Sequence, residues 1–405
     1  MRTSVNRALA REVLKAKEAA REVLLHNVEG PYEGLPRTAG WGYPEPYTRD
    51  LMISALGILA SGDSALRAAL RRVLERSAQS QTGRGHIPSL VHDPLDRGAS
   101  DTTPLFLLAV AVFRRETGEE GFLAGAVERA LTWMAYQSPG DDGLVAQLPT
   151  SDWRDEQWVL GFGLYVNAIV YAYLRLYGME GEAARLADLA NLPVTQGEAQ
   201  ERHVHEGLSA WGAPHYALWS YKIYSSDRFD LLGNSLAVIA GLADKPRSRE
   251  IVQWIERECD GMRDRGDLAV DLPPCFFPYI QPGDADWRPR YEKYNRPGEY
   301  HNGGIWPFAS AFYVVATLAA GFPQVAERRL AALTELNRLA ANPDLVEGAT
   351  RKDHRGAAGW GFNEWIKAQN GAPRGQDWQT WSAAMYLYAA ECVERGRVLF
   401  FSQPS

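Results

Sequence analysis

The chain has 405 residues, 46% hydrophobic and 23% charged, with no apolar run long enough to span a bilayer, the composition expected of an ordinary soluble protein. A formal net charge of −7 with no Lys/Arg cluster argues against a nucleic-acid phosphate footprint, so nucleic acid is not expected as a partner. Three cysteines, Cys259, Cys275 and Cys392, lack metal-ligand spacing and read as reduced thiols; no metal or cofactor is implied.

The amino terminus, Met-Arg-Thr-Ser-Val-Asn-Arg, runs into a charged amphipathic segment without an apolar signal core, which predicts a cytoplasmic protein. Apolar residues three and four apart then predict helices over 5–26, 47–60, 65–77, 103–116, 122–136, 163–177 and 182–190. After a polar, His-containing stretch near 200–228 the pattern resumes over 230–242, 248–257, 309–320, 324–341 and 379–395, with no convincing strand alternation anywhere. Long loops rich in Gly, Pro, Trp and Asp (30–46, 79–101, 138–158, 192–228, 264–303 and 343–378) alternate with short connections such as 60–63 and 321–323. Long and short connections in alternation describe helical hairpins with the long loops gathered at one end. Six such pairs predict an all-α fold, an (α/α)6 barrel, as one catalytic domain over 1–405 with a funnel at the long-loop end. An open helical solenoid is the structural alternative.

The 13 Trp and 18 Tyr suit a pocket that holds the apolar face of a sugar, although many rings in a large helical protein simply fill the core. Candidate site residues fall at predicted helix starts and in the loops before them. Trp41 lies in the first long loop, and Tyr47-Thr48-Arg49-Asp50 begins the second helix. Asp50 is suited to accept two sugar hydroxyls, whereas Asp101 in Ser100-Asp101-Thr102-Thr103 reads first as a helix cap. Thr150-Ser151-Asp152-Trp153-Arg154-Asp155-Glu156-Gln157-Trp158 places acids among tryptophans, an environment that raises a carboxyl pKa and fits it for general-acid work; plain capping is the competing account. His203 and His205 have strand-type metal spacing but no third ligand.

The most informative stretch is Glu299-Tyr300-His301-Asn302-Gly303-Gly304-Ile305-Trp306-Pro307-Phe308, where paired glycines permit close approach and the flanking rings can stack or hydrogen-bond. A turn that plugs the core with Trp306 and Pro307 accounts for it equally well. Glu364 sits between Trp360 and Trp365, and Gln376-Asp377-Trp378-Gln379-Thr380-Trp381-Ser382 opens the last helix.

With these residues assembled, the chain resembles glycoside hydrolase family 100, the neutral and alkaline invertases, within the wider clan of α/α six-barrel glycosidases. The resemblance rests on Arg49-Asp50, on Asp101, on Asp155 ahead of Tyr165-Val166-Asn167-Ala168, and on Phe229-Asp230-Leu231-Leu232-Gly233-Asn234. It continues through Cys275-Phe276-Phe277-Pro278, Tyr300-His301-Asn302-Gly303-Gly304-Ile305-Trp306-Pro307, Asn363-Glu364-Trp365 and Gln379-Thr380-Trp381-Ser382. It implies an inverting hydrolysis with Asp155 as general acid and Glu364 as general base. Arg49, Asp50, Trp41, Tyr47, Asp101, Asp152, Trp153, Tyr300, His301, Asn302, Trp306, Trp365, Gln379 and Trp381 are then expected around a small carbohydrate substrate. Asp152 competes with Asp155 for the acid role. The family's paired arginines and Gly-His-Pro after the catalytic aspartate are replaced here by Glu156-Gln157-Trp158, which leaves the substrate open.

Sucrose is the first substrate expected. A trehalose-like glycoside or a glucosyl- or mannosylglycerate is the alternative, the latter calling on Arg154, Lys222, Arg288 or Arg374 for its carboxylate. A sugar 2-epimerase or isomerase on the same fold would instead use His203, His205, His215 or His301 for proton transfer at carbon. An exposed aromatic end-loop leaves room for a homo-oligomer.

Overall fold

The computed structural model describes residues 4–140, 143–194, 207–340, 342 and 359–401. Its helices, in order, are α1 (Ser4–Asn27), α2 (Thr48–Ser61), α3 (Ser64–Gln79), α4 (Thr102–Thr117), α5 (Ala124–Ala135), α6 (Leu164–Leu176) and α7 (Glu180–Ala190). They continue with α8 (Leu231–Ala240), α9 (Lys245–Asp264), the single turn α10 (Tyr291–Tyr294), α11 (Pro307–Ala319), α12 (Pro323–Arg338) and α13 (Thr380–Arg395).

Two kinds of helix alternate along the chain, and the difference is written in their side chains. In α8 every residue is buried, and in α6 Leu164 through Leu174 are. A helix that is apolar on all sides must be surrounded. These helices form the inner ring: α2 packs on α4, α4 on α6, α6 on α8, α8 on α11, α11 on α13, and α13 back on α2. The outer helices are one-sided. In α3 the buried positions are Leu66, Ala69, Leu70, Val73, Leu74 and Ser77, a stripe at helical spacing. Asp63 starts α3 by accepting the amides of Ala65 and Leu66, and left-handed glycines Gly62, Gly118, Gly241 and Gly396 stop α2, α4, α8 and α13.

Each inner helix is entered from a long loop and left by a short turn, so all six point their N-termini at the same end. The all-α barrel expected from periodicity is the fold observed. Two small sheets were not foreseen. Strands β1 (Phe162–Gly163), β2 (Ala217–Tyr221), β3 (Tyr224–Asp230) and β4 (Phe276–Phe277) form one antiparallel sheet in that order, and β5 (Trp365–Ile366) pairs with β6 (Pro373–Arg374). Both are made by the long loops. Helix α9 also runs to Asp264, past the expected end near 257, because Cys259 and Met262 keep its buried stripe going. His203 and His205 lie outside the described residues.

Helices α2 and α13 approach each other closely at Gly57. A Cβ at Gly57 would stand 1.7 Å from the Ala384 carbonyl oxygen, which belongs to backbone that cannot yield locally. Gly57→Ala is therefore expected to destabilise by about 1–3 kcal/mol through overpacking, although alanine is favoured in an isolated helix by roughly 1 kcal/mol. Urea unfolding monitored by circular dichroism reads the sign; a higher midpoint for the variant would contradict this packing.

Candidate active site

The funnel is built where the six inner helices begin. Asp50 lies in the first turn of α2, Gln379 at the N-cap of α13, Tyr300 in the loop before α11, and Asp155 in the loop between α5 and β1. Glu364 immediately precedes β5. These residues are far apart in the chain, yet their charges act on one another: Asp50 and Asp155 both bear on Glu364, and Glu364 and Asp155 both bear on Tyr300.

Glu364 is held with care. Its Oε2 accepts the Gln376 amide at 2.9 Å while its own amide donates to the Gln376 carbonyl at 2.8 Å. This clasp requires Gly375, which has φ +69° and leaves no space for a side chain, since a Cβ there would meet Oε2 at 2.2 Å. Burial pushes the Glu364 pKa up to about 7 against the lowering effect of the Gln376 amide, with smaller upward contributions from the Asp50 and Asp155 charges. Asp50 is also raised to about 7, by burial first, with Arg49 pulling the other way. Asp155 faces the open funnel, and its carboxyl has no hydrogen-bond partner among the described residues; desolvation by the surrounding walls raises its pKa, only partly offset by Arg49.

Asp152, three residues earlier, has the opposite fate. It is fully buried and accepts Nη2 of Arg154 at 2.9 Å, the Arg154 amide at 2.7 Å and Nε2 of Gln147 at 3.1 Å. Burial alone would raise its pKa, but the Arg154 charge and these bonds bring it below the usual value. Arg154, also fully buried, reaches Asp230 at 3.0 Å on its other side. Asp152 is thus an ionised wall anchor, and Arg154 is spent within the wall.

Several expected residues support the funnel from behind. Asp101 occupies the N-cap of α4 but makes no capping bond; it takes Arg49 bidentately at 2.5 and 3.1 Å and the Tyr165 hydroxyl at 3.3 Å, which corrects the capping account. Asn302 spends its amide on the backbone of Ile280 and Asn295. Trp306 donates to the Tyr300 carbonyl at 3.0 Å, and the His301 ring stacks on both Tyr300 and Trp306 with centroids 3.9 and 5.3 Å away, the three rings forming a triangle whose Tyr300–Trp306 side is 5.2 Å. Burial holds the His301 pKa well below its ordinary value, with the Arg154 charge adding to it. Trp153 meets His301, Trp306 and Phe308 edge-on, and Trp381 stacks on Phe308 at 4.0 Å. The indole N–H groups of Trp153 and Trp381 and the Gln379 Oε1 are buried without a partner among the described residues.

Nearer the rim, Trp41 packs on Trp378 at 4.9 Å, Trp365 meets Tyr300 at 5.8 Å, and Tyr47 is 38% exposed. His215 is buried, bonded to the Tyr216 carbonyl, with its ring tilted against Trp254 at 4.5 Å. Tyr43 was missed in the sequence. Its pKa is driven up by the Glu364 charge first, then by burial, Asp50 and Asp155, which places its phenol among the three carboxyls. The only signal was an aromatic in a Gly-Pro loop, Gly42-Tyr43-Pro44, a context shared with residues that merely pack.

The elevated Glu364 pKa fixes a sign for stability against pH. A carboxyl whose folded pKa lies above its unfolded value favours the folded state at low pH, and that contribution is lost as pH rises from about 4.5 through 7. Glu364→Gln should therefore flatten the fall in melting temperature between pH 5 and pH 8 and exceed the wild type at pH 8, by calorimetry at both values. A wild type whose stability rises over that interval, with the variant parallel to it, would remove the buried, raised carboxyl.

Comparison with known proteins agrees with the fold. Residues 224–395 match the family model described as alkaline and neutral invertase. Over 172 residues the chain is 29% identical to a probable alkaline/neutral invertase D of Arabidopsis thaliana, covering 41% of this chain and 27% of that protein. Cytosolic invertase 1 of Oryza sativa subsp. japonica is 28% identical over 173 residues, 41% of this chain and 26% of that protein. The matched region thus spans about a quarter of the length of these relatives. Among solved structures, a family 63 mannosylglycerate hydrolase from Thermus thermophilus, in complex with Tris and D-glycerate, superposes with TM-score 0.61 at 16% identity over 92% of this chain and 99% of that one. A bacterial glucoamylase complexed with acarbose gives 0.60 at 13% identity, over 95% of this chain and 56% of that one. Residues 224–395 are therefore similar in sequence to the alkaline and neutral invertases, and the chain shares the α/α-barrel fold of these glycosidases.

Proposed function

We propose that this protein is an inverting glycoside hydrolase of a small α-glucoside, with Asp155 as general acid and Glu364 as general base. The observation that carries the reading is that two carboxyls with raised pKa values come from loops on opposite sides of the ring, act electrostatically on one another and have no ion-pair partner among the described residues. A raised pKa lets Asp155 hold a proton for the leaving-group oxygen. Glu364, poised near neutrality, takes a proton from the water that attacks the anomeric carbon on the opposite face. The glycosidic C–O bond breaks as the new C–O bond forms, and the two protons end on the aglycone and on Glu364. An inverting pair stands about 6.5–9.5 Å apart so that this water fits between. Asp50, Tyr43 and Tyr300 would take sugar hydroxyls.

Sucrose is the preferred substrate because the sequence relatives are named invertases. A glycosylglycerate is the second reading, favoured by the structural neighbour named a mannosylglycerate hydrolase. A cytoplasmic setting is supported by one relative's name, cytosolic invertase 1; among the described residues no helix is long and apolar enough to cross a membrane. The isomerase reading is weakened by His215 and His301, both buried with lowered pKa values.

A proton-NMR time course with sucrose, trehalose and mannosylglycerate should show the anomer opposite to the substrate linkage appearing first, for example β-glucose from sucrose. Initial release of the α-anomer would rule out the assigned pair. Asp155→Asn and Glu364→Gln should each lower kcat by about 100-fold or more with the circular dichroism spectrum unchanged; Asp152→Asn should instead act through stability. A Glu364→Gln enzyme retaining most of its kcat would overturn the base assignment.

A further inference from the structure

We propose that the outer face of the four-stranded sheet carries a second ligand site, separate from the funnel, that takes a single sugar ring bearing an oxyanion. Strand pairing sets Trp219 opposite Ser226 and Tyr221 opposite Tyr224, so these four side chains share one face. Ser220, on the other face and opposite Phe162, is fully buried. Trp158, from the loop before β1, and Ile280 and Arg288, from the segment after β4, close a cleft of about 210 Å³. That is below the roughly 300–1,000 Å³ of drug-sized sites and suits one ring. Trp158 is 43% and Tyr224 67% exposed, so large amphipathic rings are left wet around a concave surface.

The charge in this cleft is what defines the ligand. The Arg288 guanidinium lies 5.3 Å over the Trp158 ring, and its Nη1 donates to the carbonyls of Ala285 at 3.1 Å and Trp287 at 2.9 Å, which hold the group in place. Neighbouring arginines are neutralised: Arg228 by Asp284 and Asp286, Arg290 by Glu156. Arg288 has no carboxylate at ion-pair distance among the described residues. Asp286, which also lines the cleft, is spent on Arg228 at 2.9 and 3.1 Å. A fixed guanidinium with free donors, beside an indole and a sheet of aromatic residues, matches a pyranose whose apolar face stacks on Trp219 and Tyr221 while a carboxylate or phosphate takes the arginine fork. None of the funnel groups Asp50, Tyr43, Tyr300 or Glu364 lines this cleft, so the inference stands whether or not the proposed hydrolysis is correct.

The test is calorimetric titration of the full chain with glucose, glucuronate, glucose 6-phosphate and inorganic phosphate, in the wild type and in Arg288→Gln, Trp219→Ala and Asp155→Asn. At least one acidic sugar should bind about tenfold or more tightly than glucose, and whether it is the uronate or the phosphate identifies the oxyanion. Arg288→Gln should abolish that preference, Trp219→Ala should weaken the acidic sugar by about tenfold with an unchanged circular dichroism spectrum, and Asp155→Asn should bind as the wild type does. A preference that survives Arg288→Gln, binding lost in Asp155→Asn, or inorganic phosphate binding as tightly as the sugar phosphate would each overturn the site.

Discussion

The inner helices have no polar side, and the rest of the structure depends on that. A helix such as α8, buried along its whole length, cannot face water anywhere except at its ends. Six such helices satisfy one another by closing a ring, and one-sided helices shield the ring from solvent. Polar groups are then confined to helix ends, and the parallel sense of the inner helices gathers six N-termini in one place. The partial positive charge of those ends favours carboxylates, so Asp50, Asp101 and Asp230 collect there without forming a continuous polar core.

Within that setting, one loop shows how environment separates chemically identical groups. Asp152 and Asp155 are three residues apart. Asp152 turns inward to a buried guanidinium and stays charged; Asp155 is exposed at the helix-start end, has no counter-ion bonded to it among the described residues and holds its proton more firmly. Arg154 also reaches Asp230, at the junction of β3 and α8, and so ties the acid-bearing loop to the ring itself. Removing one partner from such a buried set leaves an uncompensated charge at a cost of about 3–5 kcal/mol, which makes this wall rigid. A rigid wall is what a group that must meet a reacting atom requires.

Much of this was legible in the sequence because burial is periodic in helices. Twelve segments with apolar residues three and four apart became twelve barrel helices, and the alternation of long and short connections already oriented them. The hairpin of β2 and β3 was not legible, since its outer face carries Trp219, Tyr221 and Tyr224 where alternation would place polar residues, and its turn uses Lys222 at φ 51° in place of glycine or asparagine. Glu364 and Asp155 stood out by their tryptophan neighbours. What those neighbours do was not readable: Trp153 and Trp306 build the packed floor beneath the site, and Asn302 is consumed by backbone. A motif of conspicuous residues can mark a site while most of its members only shape it.

The first helix lies against the last. Because α1 packs on α13 and α12, and α13 on α2, the region with sequence relatives and the region before it share one continuous contact surface. Cut from the chain, residues 224–395 would present the bare flanks of α8 and α13 that α6 and α2 now cover. Recognisable ancestry and mechanical integrity therefore have different boundaries in this molecule.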